Sequence, residues 1–292
     1  MRKALFFLLP TLILVGIPRI SSAEVAMSSG PGNRIFQSIA AGNAHACGIK
    51  RDGTIYCWGD NTEGQLGAPS GTFVSITAGG NHSCALRDNG SAACWGENRV
   101  GQSASKRGPF KSIVAGDYHT CALREEGTVA CWGFDEMNQS SPPTGTFKIL
   151  RAGGMHTCGL RNNGSVACWG NYDSGESESR RGPFVAIAVG GANSCGKKSD
   201  GAWTCWGIQT SRQLPPRALN LSSLDLSYYH SCGVRPVGSI ACWGNNEFGE
   251  SANMTGTFSA VNVGLFFTCG LKITGIVNCS GDYVLYHDSP LR

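Results

Sequence analysis

A seven-bladed β-propeller, all-β and carrying one disulfide per blade, is the architecture this chain predicts, and three observations lead to it. Cysteines stand in pairs ten residues apart, and every pair follows the last by 37 residues without insertion or deletion, which uses all 14 cysteines. A glycine follows the first cysteine of each pair by six residues, at Gly53, Gly90, Gly127, Gly164, Gly201, Gly238 and Gly275. Around these landmarks the apolar residues alternate with period 2, and no 3.6-residue stripe competes with them after residue 23. A fixed period in seven copies is a repeat architecture, and a unit this small cannot bury its own face, so the units must stack on one another.

The chain opens with Met1-Arg2-Lys3, an apolar run from Ala4 to Ile17, and small residues Ser21-Ser22-Ala23 before Glu24. Residues 1–23 therefore read as an export signal cleaved after Ala23, with a retained N-terminal anchor as the alternative. No later stretch is long and apolar enough to span a bilayer. Removing Arg2, Lys3 and Arg19 from the 24 basic residues leaves 21 against 20 acidic ones, a balance that argues against nucleic acid as a partner. Segment 24–35 follows, then the repeats to 292, beginning near 36, 73, 110, 147, 184, 221 and 258. Residues 24–35 and 283–292 map to the same linker position, so either could seal the circle.

In the unit that starts at Phe110, Phe110 to Ala115 alternates as a strand, Gly116-Asp117-Tyr118 turns, and His119 to Leu123 forms a second strand. Glu125-Glu126-Gly127 is the next turn, where glycine supplies the positive φ of a short hairpin loop, and Thr128 to Trp132 is the third strand. A hairpin centred on Glu126 places Cys121 opposite Cys131. Cross-strand neighbours lie about 4.5–5.5 Å apart at Cβ, close to what a disulfide needs. The same arithmetic pairs Cys47–Cys57, Cys84–Cys94, Cys158–Cys168, Cys195–Cys205, Cys232–Cys242 and Cys269–Cys279. Zinc is the rival reading of the cysteines, but two thiolates per repeat do not make a four-ligand knuckle. Each closed loop stabilises by roughly 3 kcal/mol through chain entropy. The innermost strand carries Ile39, Ile76, Ile113, Leu150, Ile187, Leu224 and Val261, with mostly small residues two places on, as strands crowding toward an axis require. The linker from Gly133 to Thr146 could add a fourth strand.

The recurring AGxxHxCAL, the DG turn, CWG and the NxxGQ of Asn61 to Gln65 resemble the regulator of chromosome condensation repeat family over about 36–292. Within that family the short repeat is similar to bacterial secreted propellers, one of them a β-lactamase inhibitor, and the paired cysteines to plant crinkly-type receptor ectodomains. The resemblance implies a seven-bladed propeller whose loops bind other proteins. The exchange-factor and chromatin roles of nuclear members fit poorly with an export signal and disulfides.

His45, His82, His119, His156 and His230 share one repeat position and invite a metal reading; the alternative is that each bonds backbone of the neighbouring blade. The Trp58, Trp95, Trp132, Trp169, Trp206 and Trp243 series reads as inter-blade packing, and Gly190-Gly191 as hairpin punctuation. Asp117, Asp135, Glu136 and Asp173 read as solvated loop acids, so no catalytic residue, metal or cofactor is expected. Repeats differ most in the first turn and in the loop after CWG, two connections that emerge on one face. That face should display Tyr118, Phe134, Met155, Tyr172, Tyr228, Tyr229, Phe248 and Phe266, residue types that anchor interfaces. The expected function is a secreted, monomeric, non-enzymatic module that binds an extracellular or cell-surface protein through this rim, the setting being periplasmic or cell-surface in some hosts. A carbohydrate-binding or glycosidase/lyase propeller and a structural matrix protein are the alternatives.

Overall fold

The computed structural model describes residues 30–208 and 219–282. The expected export signal, residues 24–29 of segment 24–35, and residues 283–292 fall outside them. Seven three-stranded antiparallel sheets occupy 36–59, 75–96, 110–133, 149–170, 184–207, 223–244 and 258–281, here blades one to seven. Within each blade the strands lie in chain order, inner, middle and outer. Blade three is Phe110–Ala115, His119–Arg124 and Val129–Gly133. The linkers add no fourth strand among the described residues, only the isolated bridges of Ala92 with Lys106 and of Val166 with Arg180. No helix among the described residues is long and apolar enough to cross a membrane.

The hairpin register is the one the cysteine spacing implies: Cys121 faces Cys131 with Thr120 opposite Trp132, and the equivalent pairs recur in every blade. A disulfide joins the two cysteines in each of the seven sheets. Gly127, at φ 89°, occupies the hairpin position where a side chain would be strained.

Each blade has two faces to bury and no layer of its own to bury them, so every apolar cluster is shared between neighbours. Cys84, Leu86 and Ala92 of blade two pack on Phe110, Ile113, Ala122 and Trp132 of blade three, and the pattern repeats around the ring. Tryptophan packs between blades as the sequence indicates, and its indole N–H also donates to the preceding blade. Trp95 reaches the carbonyl of Gln65 at 2.7 Å, Trp132 that of Gln102, Trp169 that of Gln139, and Trp206 that of Glu176.

The histidines do bridge blades, but the partner common to all five is a hydroxyl; backbone, the partner expected from sequence, joins it at His230 through Phe267. Nε2 of His45, His82, His119, His156 and His230 lies 2.7–2.8 Å from Ser83, Thr120, Thr157, Ser194 and Thr268 respectively. Thr120 and Ser194 already donate to the carbonyls of Gln102 and Glu176, so each must accept from histidine, which places the proton of His82 and His156 on Nε2. All five rings are fully buried.

The ring closes where blade seven meets blade one. Phe36 N–H donates to Gly275 O at 2.8 Å, as Phe110 N–H does to Gly90 O, and Phe267, Leu271 and Val277 pack on Phe36, Ile39, Ala46 and Trp58. At this seam Phe267 stands in the histidine position and Ala46 in the hydroxyl position, so both members of the polar pair are replaced together by apolar ones.

Burial holds the histidines far below their ordinary pKa, near 3 for His82 and His156 and near 4 for His45, His119 and His230. The unfolded chain therefore takes up protons below about pH 6.5 that the folded ring refuses until about pH 3–4. Stability present above pH 6.5 should fall by about 1.4 kcal/mol per pH unit for each histidine. Asp225, raised to about 6 by burial, and Asp117, also raised, act in the opposite direction, because their folded carboxylates bind protons first. Five groups outweigh two, so unfolding of the oxidised protein should be markedly easier at pH 5 than at pH 7.5. Equal denaturation midpoints at the two pH values would contradict this.

Candidate functional site

The first and third connections of every blade meet at one end of the ring. Backbone hydrogen bonds tie them together: Phe134 N–H donates to Tyr118 O, Asn171 to Met155 O, and Asn245 to Tyr229 O, each at 2.8–2.9 Å. The first turns of all seven blades surround the axis and leave a cavity of about 80 Å³ at its mouth, lined mostly by glycines, alanines and other small or aliphatic residues.

Two side chains from distant parts of the chain close this mouth. The Tyr228 hydroxyl donates to the Asp117 carboxylate at 2.9 Å across 111 residues of sequence. Burial raises the carboxyl pKa of Asp117, and its hydrogen bonds with Tyr228 and Asn43 oppose the rise. Asp117 is thus not the solvated loop acid its position suggested, and Tyr228 is not a rim residue but half-buried and turned inward. The Tyr228 ring crosses the first turns of blades five and four on its way to blade three. A Cβ on Gly191 would overlap that ring, and one on Gly154 would overlap its hydroxyl. Gly191 has no positive φ, so it is present for this close approach and not as turn punctuation. Ser227 departs from glycine at the neighbouring position, where its hydroxyl bonds the carbonyl of His230 at 2.9 Å.

The other rim candidates fall into three groups. Tyr229 stacks on Phe266 with ring centroids 5.2 Å apart, and Phe248 meets the other edge of the group at 5.3 Å, so blades six and seven carry one aromatic cluster. Tyr118 and Phe134 form a second, edge-on pair on blade three. Met155 is half-buried, and Tyr172 stands out at 61% exposure without joining either ring group. Sequence reading passed over Val100, Met137 and Ile208, which are 40–42% exposed on the same face. Val100, Met137 and Phe248 share one repeat position, so counting that position along the chain would have found them. Also passed over are Arg151 and Asp225, on the inner strands of blades four and six. Asp225 accepts from the backbone N–H of Val263 at 2.8 Å, and the charge of Arg151 favours its carboxylate.

Residues 36–65, 73–102 and 110–139 match the family model for the regulator of chromosome condensation (RCC1) repeat. Among solved structures, the ectodomain of the Physcomitrella patens receptor kinase CR4 is 26% identical over 85% of this chain and 74% of its own, with a TM-score of 0.73. The CRINKLY WD40 ectodomain of the Arabidopsis thaliana receptor kinase ACR4 is 27% identical over 85% and 96% of the two chains, with a TM-score of 0.71. Yeast RCC1 (Prp20), in a structure with Kap60, shares the fold at 18% identity, covering 84% of this chain and 80% of its own, with a TM-score of 0.65. No curated protein sequence matches the chain.

The Tyr228–Asp117 bond makes a separable prediction. Tyr228→Phe keeps the ring but leaves the carboxylate a partner short and should cost about 1–3 kcal/mol in chemical denaturation. Gly191→Ala, which displaces the ring itself, should cost more. A Tyr228→Phe protein as stable as wild type would show that the hydroxyl does not hold Asp117.

Proposed function

We propose that this protein is an extracellular, non-catalytic recognition module that holds a protein partner on the face built from the first and third connections. One observation carries the reading. Among the described residues 12 large apolar side chains are exposed; seven lie on this face, Val100, Tyr118, Met137, Tyr172, Ile208, Tyr229 and Phe248, and they include every aromatic and methionine of the twelve. Interfaces draw their energy from aromatic and methionine anchors of this kind, whereas a face with only solvent to meet has no use for them. Seven disulfides suit an oxidising compartment, and the two solved relatives at 26% and 27% identity are receptor-kinase ectodomains.

The variant that tests this is Tyr118→Ala/Tyr229→Ala/Phe248→Ala. It leaves out Tyr228, because that side chain holds the axial mouth together. Extracellular protein from the source organism is passed over oxidised wild type and variant side by side. A protein retained by wild type should bind the variant at least about tenfold more weakly, since truncated anchors typically cost 2 kcal/mol or more. Equal retention by a variant with unchanged thermal unfolding would refute the assignment.

A further inference from the structure

Charge separates the two ends of the ring more sharply than apolar exposure does. Setting aside Arg2, Lys3, Arg19, Arg212, Arg217 and Arg292, and the acids Glu24 and Asp288, leaves 18 basic and 18 acidic residues among those described. The connections of the variable face, at 42–44, 60–66 and their equivalents every 37 residues, contain 11 of those acids and one base, Arg99. The opposite end, comprising the second connections with the linker ends and strand starts beside them, contains 16 bases and six acids. Arg151 and Asp225, on the inner strands, complete the count. A chain with balanced charge thus carries about ten formal negative charges on one face and ten positive on the other, a polarity that its net charge conceals.

Interspersed signs would spare each face its self-repulsion, so the sorting has to be explained by what the faces meet. At the basic end part of the explanation is internal. Arg87, Arg124 and Arg161 lie over Phe73, Phe110 and Phe147 of their own blades, and Arg87 and Arg161 also bond linker carbonyls. On the acidic face Asp60, Asp135, Glu176 and Glu250 likewise accept hydrogen bonds from their own loops, but Glu136, Asp173 and Glu247 have no such account. Asp135, Glu136, Asp173 and Glu247 are exposed, and each lies within two residues of an exposed apolar side chain, Met137, Tyr172 or Phe248.

We propose that the partner of the variable face is an extended cationic protein surface, whose lysines and arginines meet Asp135, Glu136 and Asp173 beside Met137 and Tyr172 on blades three and four, and Glu247 beside the Tyr229–Phe248–Phe266 cluster on blades six and seven. This rests on the recognition reading and deepens it. Opposed charge steers the encounter, and the apolar cluster supplies the hold. Arginine fits best, since it can pair with a carboxylate and lie on a tyrosine or phenylalanine ring.

The test selects binders from a displayed library of random disulfide-cyclised 12-residue peptides against three oxidised proteins. These are wild type, Asp135→Asn/Glu136→Gln/Asp173→Asn/Glu247→Gln, and Tyr229→Ala/Phe248→Ala. Wild type should enrich peptides rich in Arg or Lys together with aromatic or leucine residues. A representative of them should weaken about tenfold on the charge-neutralised variant and by a similar factor between about 50 and 300 mM salt. Arg107→Gln/Lys111→Gln/Lys148→Gln/Arg181→Gln, at the opposite end, should leave its Kd within about twofold, because charges at that distance are screened. Neutral or acidic binders, unchanged cationic binders on the charge-neutralised variant, or no binders to folded wild type would each overturn the charge proposal. Binders that survive Tyr229→Ala/Phe248→Ala would instead count against the face itself, so the two readings fail separately.

Discussion

Everything in this molecule follows from a three-stranded sheet that has two faces and no second layer. A sheet of this size must be covered on both sides, and the only cover available is the next copy of itself. The residues repeated most strictly therefore point between blades: the Phe and Trp rings, the disulfide on its cross-strand site, and the histidine that reaches the next blade's hydroxyl. Constancy of the 37-residue period is the same constraint seen in sequence, because an inserted residue on a buried strand would turn its side chains to the wrong face.

The closing seam shows how far that constraint can bend. A buried histidine and its hydroxyl contribute little net energy while both are present, but either one alone would be an unsatisfied polar group. Blade seven and blade one solve this by losing both, with Phe267 packed on Ala46. The substitution at residue 267 is thus explained by residue 46, on the far side of the chain and on the neighbouring blade.

Features set by adjacent residues or by the repeat were legible in the sequence. The hairpin register followed from cysteine and glycine spacing, and the shared face of the first and third connections from strand count. What was not legible depends on contacts between unlike positions in different blades. Nothing near Asp117 indicates that a tyrosine 111 residues on will shield it, and nothing near Gly154 or Gly191 indicates that their missing side chains make room for that tyrosine's path. The hydroxyl partner of the histidines was not legible for a related reason: it stands one place after the histidine position of the next blade, and nothing near either residue links the two positions. Charge was misjudged because it was summed over the chain and not by end of the ring.

These features divide the variable face into two parts with different physical roles. Its centre is closed by a hydrogen-bonded tyrosine over glycines, with a half-buried carboxylate as its acceptor, and a group held in that way contributes rigidity and offers little contact area. Around it lie the loops after the third strands, where side chains differ from blade to blade at matched positions: Glu63, Val100, Met137 and Phe248. Loops anchored at both ends by the same backbone hydrogen bonds can vary in side chain without moving the strands that hold them. A fixed centre with a variable border lets one scaffold present an extended, preorganised surface. Little conformational entropy is then lost when a partner arrives, which is where a disulfide-clipped ring gains over a flexible loop of the same composition.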